Sequence, residues 1–293
     1  MTQLLISNPG AVHLETGERD IVLSGSRPKV AINQITRDGG FDSIVDDLSS
    51  LPGEYSLITV ERQSDTVVRA YRGISSSFDI YYSCTPDDTV VVGDHFRDVL
   101  STIPIDERTV SDSVAGDQIL FGTRPSGSYV NEINRLGHGE RLNWLVGEQP
   151  EVTQIQQLSQ PESLTRSIAQ QRLDTSLKTV IQDDNRRKST ATMLSGGVDS
   201  TLLHTYANTT NSVSGAINSP KYNSEIEYAH QASDLLNSNH DLLEFDESEF
   251  VKLVETATEA TGHPLLHLQT THVFTPIEFL AEPLRRLKTA PSI

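Results

Sequence analysis

The stretch "STATMLSGGVDSTLLHTYA", residues 189–207, decides how the second half of the chain folds. A short apolar run, Ala191 to Leu194, meets Ser195-Gly196-Gly197, and a helical pattern opens at Asp199. Two glycines at such a turn let the backbone bend sharply and approach an anion with no Cβ in the way. The first-turn N–H groups of the helix lack intrahelical partners and point, with the helix dipole, at negative charge. Ser195 and Ser200 add hydroxyl donors, while Val198 opens the turn. Asp199 is the odd member, because a carboxylate repels a phosphate. It implies either a bound Mg2+ or a helix cap turned away from the phosphates. Two adjacent glycines alone would be an ordinary tight turn; the whole of Leu194–Ser200, set between strand and helix, points to phosphate binding. It is not a P-loop, since the pattern G-x-x-x-x-G-K-S/T is absent.

The segments around this junction alternate. "PESLTRSIAQQRLDTSLKTVIQDD" predicts a long helix starting at Pro161, with Leu164, Ile168, Leu173, Leu177 and Ile181 along one side. Then follow strand 190–194, helix 199–208, strand 212–218, helix 224–237, strand 241–245 and helix 247–261. Ser224 with Glu227, and Asp246 with Glu249, have capping-box spacing. Such alternation implies an α/β parallel sheet, with ligands at the carboxyl ends of its strands.

Residues 1 to about 145 have a different rhythm. "YSLITVER", "TVVRAYRG", "FDIYYSC" and "TVVVGD" read as strands, the last after a Pro86-Asp87-Asp88 turn. "FDSIVDDLSSL" is a short amphipathic helix with Phe41, Ile44, Val45 and Leu48 on one face, and "HFRDVLSTI" is another, clustering Phe96, Val99 and Leu100. This is an α+β layer. Residues 146–160 are polar and unpatterned and are expected to be a linker, giving domains at 1–148 and 160–293.

Bulk properties bound the rest. A chain of 293 residues is long enough for two cores. It shows no apolar run of about 20 residues and no secretory signal at its start, so a soluble cytoplasmic protein is expected. Forty acidic against 23 basic residues give a net charge of −17, which argues against a nucleic-acid surface. Six lysines against 17 arginines, with the acidic excess, suggest solubility in concentrated salt, where charges are screened within ~3 Å. The one cysteine, Cys84, excludes an intrachain disulfide and is expected to pack in the core.

The hexapeptide "SGGVDS" resembles the pyrophosphate-binding loop of the ATP pyrophosphatases, the group that includes asparagine, GMP and argininosuccinate synthetases. That resemblance implies adenylation, with ATP cleaved to an AMP-linked substrate and pyrophosphate, and Mg2+ near Asp199. The upstream half narrows it. "LPGEYSLITVERQSDTVVRAYRGISSSFDIYYSCTPDDTVVVGDHFRDVLSTI" and "DQILFGTRPSGSYVNEINRLGHGERL", with Gly137-His138-Gly139, resemble the amidotransferase half of the asparagine synthetase family. The implied fold is an N-terminal-nucleophile (Ntn) hydrolase-like α+β domain followed by an α/β ATP-pyrophosphatase domain. Ile217 is then expected along the adenine, and Glu225 and His240 fall where the family places an acid and a histidine. The implied activity is an ATP-dependent amide ligase acting on a carboxylate, aspartate by default.

Two departures qualify this. Glutamine-dependent members carry a cysteine directly after the initiator methionine; here Thr2 stands there, so no glutaminase step is expected and nitrogen would come from ammonia or the substrate's own amine. Family members also continue to a Gly-rich loop bearing Asp-Glu, which "EFLAEPLRRLKTAPSI" does not contain. The expectation is an incomplete ATP site, finished by a second chain, belonging to a degenerate noncatalytic relative, or left by a truncated reading frame. Two other clusters are expected to be inert. His263, His267 and His272 read as polar loop residues, and Asp94, His95 and Asp98 as a solvated helix start with no serine nearby to activate.

Overall fold

The computed structural model describes residues 1–265 apart from 16, 36–38, 123–126, 160–161, 185–190 and 208. The described residues fall into two compact units, one of residues 1–159 with 262–265 and the other of residues 162–261. No helix among the described residues is long and apolar enough to cross a membrane.

The first unit is built on two sheets. One has the order β1 (Thr2–Leu5), β7 (Val90–Gly93), β6 (Tyr81–Cys84), β8 (Asn134–Arg135). The other runs β10 (Glu151–Gln154), β9 (Glu140–Leu145), β5 (Thr66–Arg72), β4 (Tyr55–Arg62), β3 (Arg19–Gly25), β2 (Val12–Glu15) and is antiparallel throughout. The period-2 alternation of β4 explains the layering. Ile58 and Val60 face the other sheet, where they meet Ile80, Val90 and Val92, while Tyr55 and Leu57 face the helices. There α1 (Pro28–Gln34) and α2 (Phe41–Ser50) close the outer face, and Phe41, Ile44, Val45 and Leu48 are all buried, as the spacing predicts. On the other side α3 (Phe96–Ser101) packs Phe96 and Val99 against Tyr81 and Val91. The order of layers is helix, sheet, sheet, helix. α4 (Asp112–Phe121) follows later in the chain.

Two expectations change here. The stretch 146–160 contains β10, paired along its length with β9, so part of the expected linker is a sheet edge. Its side chains bury no face, which is why the sequence shows no pattern there. Cys84 is exposed, not core: it closes β6 beyond the cover of the neighbouring layer.

The second unit holds three parallel strands in the order β11 (Thr192–Met193), β12 (Asn211–Ile217), β13 (Asn239–Phe245). They are joined by α6 (Val198–Tyr206) and α7 (Asn223–Leu235), preceded by α5 (Arg166–Asp184) and followed by α8 (Glu247–Thr261). α5 begins at Arg166, later than the expected start at Pro161. Of its predicted apolar side, Leu164, Ile168 and Leu173 are exposed and only Leu177 and Ile181 are half-buried. The Asp246–Glu249 box forms: Glu249 N donates to Asp246 Oδ1 at 2.8 Å and Asp246 N to Glu249 Oε2 at 2.8 Å. The Ser224–Glu227 box does not. A 3-10 turn at Pro220–Tyr222 runs straight into α7, so Ser224 lies inside the first turn and Glu227 accepts from Gln231 instead.

Candidate nucleotide site

Leu194 ends the β11 rung, fully buried, with its N–H donating to Val213 O at 3.0 Å and its carbonyl accepting from Ser214 Oγ. The chain then leaves the sheet at the carboxyl ends of the strands. Gly196 takes φ +76°, a left-handed conformation that glycine adopts without strain. A Cβ there would overlap the Tyr228 carbonyl and lie 2.7 Å from Ala229 N, so α7's backbone seats directly on this glycine. Gly197 is different: it is the N-cap of α6, extended, and a Cβ on it would meet only Ser195 Oγ at 3.4 Å. One glycine serves packing, the other leaves open space before the helix.

The two serines lock the turn. Ser195 N donates to Ser200 Oγ at 3.2 Å, the two hydroxyls lie 3.0 Å apart, and Ser200 Oγ donates to Gly197 O at 3.1 Å. No side chain caps the start of α6, which leaves its first-turn amides facing outward. Asp199 stands within that first turn, so the alternative of a cap at Asp199 is not what forms. Ser195, Gly197, Val198 and Asp199 are all exposed.

Behind the turn lies a cavity of about 310 Å³ lined by Leu194, Ser195, Ser200, Ser214, Glu225 and Leu242 among others. The structure thus brings Leu194, Ser195, Ser200 and Glu225 to one place. Ile217, 5% exposed at the end of β12 opposite Phe245, is not part of its lining. Ser214 and Leu242 were not evident from the sequence, because strand neighbours in a parallel sheet come from distant segments. The signal available was their place in β12 and β13, beside the glycine turn.

The other flagged clusters resolve plainly. Ser7, absent from the sequence reading of "DHFRD", donates its hydroxyl to Asp98, and the N–H groups of Ser7 and Asn8 donate to Asp94 at 2.8 and 3.2 Å. Burial raises the Asp94 carboxyl, and those N–H groups oppose the shift. Asp94 and Asp98 therefore anchor the loop after β1, with Ser7 bonded to carboxylates and not to a base. Trp144 is core. His263 lies beside Tyr129, with ring centroids 6.2 Å apart; His267 and His272 fall outside the described residues. Thr2 pairs with Val90 in the β1–β7 ladder.

Residues 170–276 match the family model for asparagine synthase, so that segment is similar to a family of ATP-dependent amide ligases. No curated protein is significantly similar to the chain. The donor set fits ATP: a glycine cradle, two hydroxyls and uncapped helical amides suit a polyphosphate. It also fits Mg2+, which takes one or two carboxylates with substrate phosphates and keeps much of its water, a role open to Asp199.

Proposed function

We propose that the chain adenylates a carboxylate, aspartate by default, and passes it to ammonia or to the substrate's own amine, acting in the cytoplasm. Ser195, Gly196, Gly197 and Ser200 hold the pyrophosphate, Asp199 carries its Mg2+, and Ile217 lies toward the adenine end. When bound, ATP supplies the adenylyl group that activates the carboxylate. The chain's own part is to neutralise developing charge with amides and hydroxyls fixed beforehand. The observation that carries this reading is the division of labour between Gly196, packed on α7, and Gly197, open to a ligand. The helix–sheet–sheet–helix order of the first unit supports an Ntn-hydrolase-like scaffold, with Thr2 where glutamine-dependent relatives have cysteine.

A second reading is favoured by one feature. Val198 is 83% exposed at the mouth of the site, so among the described residues the turn is walled on one side only. A second chain that supplies the facing wall accounts for this, and without it the unit binds nucleotide noncatalytically. Incubation with Mg-ATP, aspartate and ammonium in molar KCl, followed by product analysis, separates the two. AMP and pyrophosphate, lost on Ser195→Ala, support the self-sufficient ligase. Absence of turnover from folded protein that still binds ATP refutes it in favour of the partner-dependent half.

A further inference from the structure

A sheet covered by helices is normally apolar beneath them, yet one rung of the second unit's sheet reads Thr192–Ser212–His240 across β11, β12 and β13. Imidazoles from two helices join it. His204 of α6 is 5% exposed, and its Nδ1 meets Thr192 Oγ1. His230 of α7 stands edge-on to His240, with ring centroids 5.7 Å apart and planes at 81°. His240 Nδ1 lies 2.8 Å from Ser212 Oγ, itself 2.7 Å from Ser238 Oγ, which donates to Thr210 O. Its Nε2 is buried with no hydrogen-bond partner among the described residues. The layer sits at the amino ends of the strands, with Thr192 three residues before Ser195 on the strand that leads into the Ser195–Ser200 turn.

We propose that this layer, in which the His204 ring and His240 Nε2 are buried, makes the second unit acid-labile, so that mild acid loosens α6 and α7 from the sheet and dismantles the Ser195–Ser200 turn that packs against them. The interior has no place for the charge. The charges that reach His240 are His230 from α7, His204 from α6 and Asp241 beside it on β13; β11 and β12 present only the hydroxyls of Thr192 and Ser212. Burial, then His230, pushes His240 below the ordinary histidine range, with Asp241 opposing, and burial alone does the same to His204. A depressed folded value means that the unfolded chain takes up protons first. Stability is then full above about pH 6.5 and falls with pH until the folded values are reached, by up to about tenfold in the unfolding constant per pH unit for each histidine.

The test is urea unfolding of the full chain between pH 8 and 5 at fixed KCl, for the wild type, His204→Gln, His240→Gln and His230→Gln. Far-UV circular dichroism follows the helices, while fluorescence of Trp144, the chain's one tryptophan, follows the first unit separately. The proposal expects the wild-type helical midpoint to fall with pH, His204→Gln and His240→Gln each to flatten the slope, and the exposed His230→Gln to leave most of it. A flat wild type, or buried-site variants that keep the wild-type slope, overturns it. If a variant fails to fold at pH 8, imidazole proton resonances of the wild type decide. Two histidines that stay neutral well below pH 6.5 support the proposal, and all nine titrating normally refute it.

Discussion

Gly196 and Gly197 are neighbours in sequence with opposite roles, and substitution separates them. Gly196→Ala places a methyl group against the α7 backbone, which cannot give way, in a left-handed conformation. We expect it to cost about 2–4 kcal/mol of stability, read as a lower urea midpoint of the helical transition. Gly197→Ala meets only a serine hydroxyl and is expected to fold normally while losing nucleotide affinity. A third residue-scale prediction concerns Arg72, 2% exposed, which pairs with Asp79 at 2.7 Å and donates to Leu136 O and Ser76 O. Asp79 also binds Arg135, so Asp79→Ala strands two guanidiniums in or near the core and should destabilise the first unit by roughly 3–5 kcal/mol. A Trp144 fluorescence transition unmoved by that change would contradict it.

Elements were legible in the sequence where local pattern and burial coincide. The four apolar positions of α2 and the reciprocal bonds of Asp246 and Glu249 are both local and both formed. α5 was legible as a helix but not in what it buries, because periodicity marks an apolar face without naming its neighbour; its Tyr206 contact is made through Asp174, a polar position. β10 was missed because an edge strand with exposed side chains has no hydropathy signal. The candidate site shows the same limit. Its glycine turn could be read directly, but the cavity walls at Ser214 and Leu242 depend on strand register. The two predicted caps give a clean contrast: Asp246→Ala should speed amide exchange at Glu249 and the first turn of α8, while Ser224→Ala should leave the start of α7 unchanged.

At the scale of the whole molecule, the large apolar clusters among the described residues lie in the first unit. Among the described residues the buried apolar side chains of the second unit are fewer, with Leu194, Val213, Ile217 and Phe245 set among alanines. Hydrophobic stabilisation scales with area buried, so urea should unfold the second unit before the first, the helical transition preceding that of Trp144. The net charge of −17 adds repulsion that salt screens. Thermal midpoints should therefore rise with KCl toward molar concentration, and midpoints independent of KCl would remove the argument for a salt-adapted surface. The central claim is that the Ser195–Ser200 turn holds the phosphates of ATP, and equilibrium dialysis with labelled Mg-ATP tests it most directly. The account predicts saturable binding by the wild type and at least tenfold weaker binding by Gly197→Ala of unchanged circular dichroism. Equal affinities, or a folded wild type that binds no nucleotide, would contradict it.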